Sequence, residues 1–292
     1  MTISLSMIVK NESSCLKTAL DSVIGIDEIV ICDTGSEDNT IEIAKQYTDK
    51  VFTDYKWNDS FCEARNHALS KCTSDWVLIV DADEKLITPI QELKKVIQIA
   101  EEKGIKAIDC RVLHHRTKAE HAQPRLFKRC PEVFWKGAIH NYLNTLAGMK
   151  SEVVIEYAYS AAHKLDPDRA LRILLKEVQK NPNLIREKFY LAREYWYLKD
   201  YKTALQWYDE YLKISTWLPE RADAYLMKAR CLWNLARGEE ARHACLMAIN
   251  INANYKEALL FMGDLSWEHN KKQWIKFAEL ADNSNVLFIN NK

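Results

Sequence analysis

The chain has 292 residues and 34.0 kDa, and its 41 Lys+Arg are matched by 41 Asp+Glu, giving a formal net charge of +0. That balance, with no basic block, argues against a chain built to wrap nucleic acid or an anionic bilayer, and 48% hydrophobic with 28% charged residues excludes a disordered or fibrous protein. Seven glycines are few for this length, which argues against glycine-rich phosphate loops and turn-rich barrels and predicts that helix dominates.

At the start, Met1 to Lys10 lacks the basic and long apolar regions of a secretory signal, and no stretch reaches the roughly 18 consecutive apolar residues of a membrane span. A soluble, cytoplasmic protein is expected. β-Branched runs at Ile3 to Val9, Asp27 to Ile31, Lys50 to Thr53 and Trp76 to Val80 predict strands. The amphipathic stretches between them, Ser14 to Val23, Asn39 to Tyr47 and Phe61 to Lys71, predict helices. This alternation predicts a parallel sheet with right-handed crossovers, which places ligands at the carboxyl ends of its strands. Shorter strands at Lys106 to Leu113, Gln123 to Lys128, Val133 to Lys136 and Glu152 to Ala158 are expected to complete the same domain, over residues 1–164.

After Pro167 the alternation stops, and residues 165–282 read as helices of roughly 12 to 15 residues joined by short turns, followed by a tail over 283–292. An internal repeat is visible: Ala192, Ala229 and Gly263 are spaced by 37 and 34 residues, and Ala204 and Ala241 by 37. In the first copy, Leu191-Ala192…Tyr195…Tyr201…Ala204…Tyr208, small residues sit where two helices must approach and aromatics fill the space beside them. The segment resembles the tetratricopeptide repeat family, with its third copy degraded around Trp267 and Trp274; the alternative is an irregular helical bundle. Most of its aromatics, such as Tyr195, Trp196, Tyr197, Trp207, Tyr208 and Tyr211, are expected in the core. A repeat array offers a concave surface, suited to a peptide or protein ligand or to homodimerisation. The eight cysteines are scattered and none forms Cys-x-x-Cys, which predicts buried reduced thiols rather than a disulfide framework or zinc site.

The strongest chemical signal is Asp81-Ala82-Asp83-Glu84, directly after the buried run Val77-Leu78-Ile79-Val80. A strand that ends in two carboxylates one residue apart places an expensive charge pair at a sheet's ligand edge. Holding both ionised favours a divalent cation, and oxygen ligands suit Mg²⁺ or Mn²⁺ better than zinc. Alone, Asp-x-Asp is also common in surface turns. Three further motifs stand at the ends of the preceding strands: Val9-Lys10-Asn11-Glu12, the run Asp33-Thr34-Gly35-Ser36-Glu37-Asp38-Asn39-Thr40, and Trp57 to Leu69 with Arg65-Asn66.

With these motifs in this order, the chain resembles the family 2 glycosyltransferases of the GT-A fold, in particular the branch that includes lipopolysaccharide glucosyltransferases and peptide S-glycosyltransferases. The match runs from Ile3 to Glu84 and more weakly to about His163. The resemblance implies a Rossmann-like nucleotide-sugar-binding domain followed by an all-α, tetratricopeptide-like domain. It implies that Asp33 accepts a hydrogen bond from a uracil imide, although such an acid also serves turns. Val9, Lys10, Asn11 and Glu12 would edge the nucleoside, with Glu12 alternatively in the first turn of a helix. Arg65, beside Asn66, would bind the diphosphate or orient Asp81, the alternative being a surface ion pair. Asp81 would face the ribose, Ala82 would line the nucleotide-sugar site, and Asp83 would bind Mn²⁺ or Mg²⁺, stabilising UDP as it departs. Gly35 and Ser36 are read as turn-formers, and Asp38 or Asn39 as a helix cap.

Downstream, Arg125 to Arg129 and Phe134 to Asn141 look like the family's acceptor-side segment, which often reads His-Glu where this chain has His140-Asn141. An asparagine cannot take a proton, so His140 becomes the candidate base; it is equally a candidate to bind metal or a backbone carbonyl. A thiol acceptor would need less help, since a thiolate forms more easily than an alkoxide. His163 matches a second family histidine and would complete the metal site, unless it is merely packed. Lys118, Arg125, Lys128 and Arg129, with His114, His115 and His121, form a basic cluster for a charged acceptor or a solvated loop face. The resemblance thus implies an inverting, metal-dependent transfer from UDP-glucose or UDP-N-acetylglucosamine to a peptide side chain or a cell-envelope glycan. The rival is a non-catalytic nucleotide-sugar-binding module whose helical array mediates interactions; Asn141 favours it, and intact Asp33, Arg65, Asp81 and Asp83 oppose it.

Overall fold

The computed structural model describes residues 1–144, 148–158 and 166–282; His163 and the tail at 283–292 lie outside the described residues. The chain divides into two compact units, Met1–Asp168 and Arg169–Lys292.

The first unit is built on an eight-stranded sheet. In chain order its elements are β1 (Ile3–Val9), α1 (Leu16–Asp21), β2 (Glu28–Asp33), α2 (Thr40–Ala44), β3 (Val51–Phe52), α3 (Phe61–Lys71), β4 (Trp76–Leu78), β5 (Glu84–Leu86), α4 (Ile90–Glu102), β6 (Ala107–His114), β7 (Glu120–Lys128), β8 (Trp135–Lys136), β9 (Tyr142–Leu143) and β10 (Met149–Tyr157). The order across the sheet is β3-β2-β1-β4-β7-β6-β10-β5, while β8 and β9 form a separate antiparallel pair. β3, β2, β1 and β4 are mutually parallel; β7 runs antiparallel to both β4 and β6. The parallel half is the one that the strand–helix alternation predicts, and the whole is a GT-A-like α/β unit. Its central strand β1 is buried on both faces, with Ile3, Leu5, Met7 and Val9 in the core and Ser4 and Ser6 buried opposite. The two serines interrupt the continuous apolar run expected of a strand covered on both faces, and the Ser4 hydroxyl is satisfied by donating to the Glu28 carboxylate.

Three elements go beyond the sequence expectation: β5, α4 and the two-residue β9, which pairs with β8. β5 is three residues long and pairs antiparallel with β10; a strand this short carries no periodicity to read. α4 does carry one: Ile90, Leu93, Ile97 and Ala100 are buried along one face, with Pro89 just before the first turn.

The second unit consists of α5 (Arg169–Lys180), α6 (Ile185–Tyr197), α7 (Tyr201–Ile214), α8 (Leu218–Asn234), α9 (Gly238–Ile251), α10 (Lys256–Leu265) and α11 (Glu268–Leu280). Each helix packs on the next, the pattern of a tetratricopeptide-like array. Ala192, Ala204, Ala229, Ala241 and Gly263 are all buried at the crossings. A Cβ at Gly263 would stand 3.5 Å from the Trp274 Cβ, so the third hairpin closes on that tryptophan. Trp267, by contrast, is 74% exposed. Between successive hairpins, charge pairs act as ties: the buried Arg193 donates to Asp223 (3.2 Å), which also accepts from the Tyr255 hydroxyl (2.9 Å), and the half-buried Arg230 donates to Glu257 (3.1 Å). No described helix is long and apolar enough to cross a membrane.

Candidate active site

The functional side chains gather at the carboxyl ends of β2, β1 and β4. Asp33 closes β2 opposite Val9, its register partner in β1. It is 3% exposed. Its Oδ2 accepts from the Gly35 and Ser36 backbone N–H groups (2.9 and 3.0 Å), a turn that needs the positive φ of Gly35 (+108°). Its Oδ1 is buried with no partner among the described residues. A buried carboxylate oxygen left unsatisfied is costly, and such an orphan marks a place where a donor belongs.

Asn11 locks the same turn from the other side. Its N–H donates to Ser36 Oγ (2.9 Å) and its Oδ1 accepts from the Glu37 N–H (2.8 Å), with a φ of +56° that Asn tolerates. Lys10 is exposed beside it, and Val9 contributes a carbonyl that accepts from the Thr34 N–H (2.9 Å). Glu12 lies three residues before the Cys15 N-cap of α1 and so outside its first turn; its carbonyl accepts from the Leu16 N–H (2.9 Å), and its own N–H donates to Thr40 Oγ1 (2.8 Å). Asp38 supplies the side-chain cap of α2, accepting from the Thr40 N–H (3.0 Å); Asn39 makes no such bond. Cys15 Sγ lies 3.1 Å from Glu12 Oε2, and burial, then that hydrogen bond, pushes its thiol up to about 12, so it stays neutral.

α3 carries the cationic side. Ser60 caps it by accepting from the Glu63 N–H (3.3 Å), and Ala64 and Ala68, one turn apart, bury against β1 and β2. That close approach points Arg65 at the residues following β4. Its Nη2 donates to both oxygens of Asp81 (2.8 and 3.1 Å), and its guanidinium lies 5.0 Å from the centre of the Trp135 ring. Arg65 Nε and Nη1 are buried without partners among the described residues. Asn66, expected at the nucleotide, uses both ends of its amide on β8: it donates to the Trp135 carbonyl (3.0 Å) and accepts from the Trp135 N–H (2.8 Å). It thereby holds the ring that supports Arg65.

Asp81 is gripped from its other side by Arg125 on β7, whose Nη1 donates to Oδ2 (3.3 Å). Burial alone would raise the Asp81 carboxyl, but the charges of Arg65 and then Arg125 hold it at about 2. The charge at Asp81 thus has two guanidiniums, those of Arg65 and Arg125, as counter-ions. Ala82 is buried between the acids, and the half-buried Asp83 accepts at its carbonyl from the Ala158 N–H (3.0 Å). Among the described residues, no three His, Cys, Asp or Glu side chains cluster as a metal site. One carboxylate at a sheet's ligand edge nonetheless fits Mg²⁺ or Mn²⁺ of the kind that takes most of its ligands from substrate phosphates and water.

His140 is exposed, with a φ of +48°, on the segment after β8. That segment is tied to the start of α3 by the Phe61 N–H, which donates to the Ala138 carbonyl (2.7 Å). The basic cluster does not form one surface. Arg125 is buried, Lys118 pairs with Glu156 (2.9 Å), Lys128 pairs with Glu101 (2.9 Å), and Arg129 donates to the Ser74 carbonyl (2.7 Å) at the opposite end of β4. Glu84 and Trp135 belong to the site although sequence reasoning does not single them out. For Glu84 the one available signal is its place in the acidic run; for Trp135 there is none, because the contact spans about 70 residues of chain.

A family model described as "Glycosyl transferase family 2" matches residues 4–158. A TPR repeat-containing protein of Synechococcus elongatus is 36% identical over 149 residues, covering 49% of this chain and 35% of that protein. The SPbeta prophage-derived glycosyltransferase SunS of Bacillus subtilis is 30% identical over 155 residues, covering 50% and 36%. This chain thus spans little more than a third of the length of these two curated relatives. Among solved structures, that of S. aureus TarS aligns with 98% of this chain and 54% of its own, at 13% identity and a TM-score of 0.46.

Proposed function

The chain belongs to glycosyl transferase family 2, and from that premise we propose that it is a glycosyltransferase using a UDP-sugar, UDP-glucose or UDP-N-acetylglucosamine, as donor. The observation that carries the reading is a pair of orphans: the buried Asp33 Oδ1, an acceptor, and the buried Arg65 Nε and Nη1, donors. β2, β1 and β4 are consecutive in the sheet. Asp33 and Asp81 therefore stand two strand spacings apart, about 10 Å, a separation that suits a nucleoside diphosphate laid across the strand ends. Asp33 Oδ1 accepts from the uracil imide N–H, and Arg65 directs its spare donors at the diphosphate while Asp81 fixes its plane.

In this reading an acceptor nucleophile attacks the anomeric carbon opposite the diphosphate. The bond from that carbon to UDP breaks, its electron pair leaves with UDP, and the configuration inverts. Asp83 is the residue that would hold a divalent ion, with His163 a further candidate; bound there, Mn²⁺ or Mg²⁺ supplies charge neutralisation for the departing UDP. His140 is the candidate to take the acceptor's proton, with a hydroxyl acceptor depending on it more than a thiol. The acceptor class is a peptide side chain or a cell-envelope glycan, with the helical array, alone or as a homodimer, as the recruiting surface.

The test is a thermal-shift screen of UDP, UDP-glucose and UDP-N-acetylglucosamine with and without Mn²⁺, followed by an assay of UDP release. A ligand at 100 times its Kd stabilises the folded state by about 2.7 kcal/mol, which is readily seen. Stabilisation by UDP and sugar-dependent release support the enzyme. Tight UDP binding without turnover in the presence of candidate acceptors supports the non-catalytic module, and no response to any uridine nucleotide removes the reading.

A further inference from the structure

Resting on the nucleotide reading above, the structure assigns Glu84 a part beyond it: we propose that Glu84 is the positioning residue that keeps Arg125 from competing with Arg65 for Asp81. Glu84 is 6% exposed and Arg125 7% exposed. Glu84 Oε1 accepts from Arg125 Nη2 (2.7 Å), and its Oε2 accepts from the Asp81 backbone N–H (2.8 Å). The turn is closed again by the Glu84 N–H donating to the Asp81 carbonyl (2.9 Å). Arg125 is filled: Nε donates to Gln123 Oε1 (3.0 Å), Nη1 to Asp81 and Nη2 to Glu84. Its main chain is fixed too, since the Arg125 carbonyl accepts from the Ile79 N–H (2.8 Å).

The two arginines are therefore not equivalent. Every nitrogen of the Arg125 guanidinium has a protein partner, so it serves as a counter-ion; Arg65 keeps two buried donors for a ligand. What separates the roles is Glu84. It takes the short bond from Arg125 and leaves Asp81 only the longer one, so that Arg65, whose single Nη2 reaches both Asp81 oxygens, keeps the closer hold on that carboxylate. Without that carboxylate, Arg125 would sit in the same low-dielectric space with Asp81 as its one remaining anion and would close on it. A guanidinium fork fits one carboxylate well, and two forks cannot both do so. Arg65 would lose its anchor and its spare donors their aim.

The experiment compares UDP and uridine binding by calorimetry for the wild type, Glu84→Gln, Arg125→Met and the double variant. Uridine is read by Asp33 and lacks the diphosphate, so it reports on general damage to the site. The expected result is that Glu84→Gln weakens UDP at least tenfold with uridine affinity unchanged, and that the UDP affinity lost in Glu84→Gln is regained when Arg125→Met is added. Unchanged UDP affinity in Glu84→Gln, equal loss of UDP and uridine, or no recovery in the double variant would overturn the assignment. Failure of the wild type to bind either ligand would instead overturn the nucleotide reading, and this inference with it.

Discussion

Replacing Asp33 by Asn changes one atom at the base of the proposed nucleoside site and separates its two oxygens. Oδ2 holds the turn through Gly35 and Ser36, while Oδ1 has no partner. In Asp33→Asn the amide oxygen can keep the two backbone N–H groups only if the NH₂ takes the place of Oδ1. There it presents a donor to the imide N–H of uracil, itself a donor. The lost hydrogen bond to a charged acceptor is worth about 1.5–3 kcal/mol, which predicts a roughly 10- to 150-fold rise in the Kd for UDP. Calorimetric titration of wild type and variant with UDP measures this, with inorganic pyrophosphate as the control, since Arg65 and not Asp33 is assigned to the phosphates. A variant that binds UDP as tightly as the wild type would refute the reasoning, because Asp33 Oδ1 would then have no ligand to meet.

Other substitutions test the remaining parts. Arg65→Lys keeps a charge but removes the fork that serves Asp81 and the diphosphate together, so UDP affinity should fall at least tenfold while uridine affinity holds; equal affinity for UDP would show that a point charge suffices. Asp83→Ala should abolish Mn²⁺-stimulated UDP release and leave the far-UV circular dichroism intact, and wild-type stimulation in that variant would remove the metal role. In the helical unit, burial pushes Asp223 up to about 6 against the lowering effect of Arg193, and Asp223 is 1% exposed. An acid with a raised folded pKa contributes stability that is complete below its unfolded value, near 4, and is lost as pH rises through about 6, here up to about 3 kcal/mol. Urea unfolding of that unit between pH 4 and 7 should show this decline, and Asp223→Asn should flatten it; identical slopes in both proteins would count against it.

The reach of sequence reasoning differed between elements for physical reasons. β1 and α3 are legible because each carries a local signal: β1 is rich in apolar residues, with only Ser4 and Ser6 among them, and α3 begins at a Ser cap with small residues one turn apart. The places of Asp33 and Asp81 fit the rule that parallel strands offer their carboxyl ends to ligands, while Arg65, inside α3, is singled out by the family resemblance. What the sequence does not display is pairing across the sheet. Arg125 sits 44 residues beyond Asp81, and only the antiparallel insertion of β7 beside β4 makes them neighbours. In sequence, Arg125 stands with Lys128 and Arg129; in the sheet these side chains part, one toward the ligand edge and two toward the far end. The Asn66 amide meets the Trp135 backbone on β8, which is likewise distant in the chain.

The doubly tied turn after β2 has a further consequence. With Asp33 and Asn11 anchoring it from both sides, the wall that would meet the base is already rigid before any ligand arrives. Little entropy then remains to be surrendered on complex formation. Association at this end should be governed by diffusional encounter and not by loop rearrangement, so the slow step of a turnover belongs to chemistry, to the acceptor, or to departure of the product.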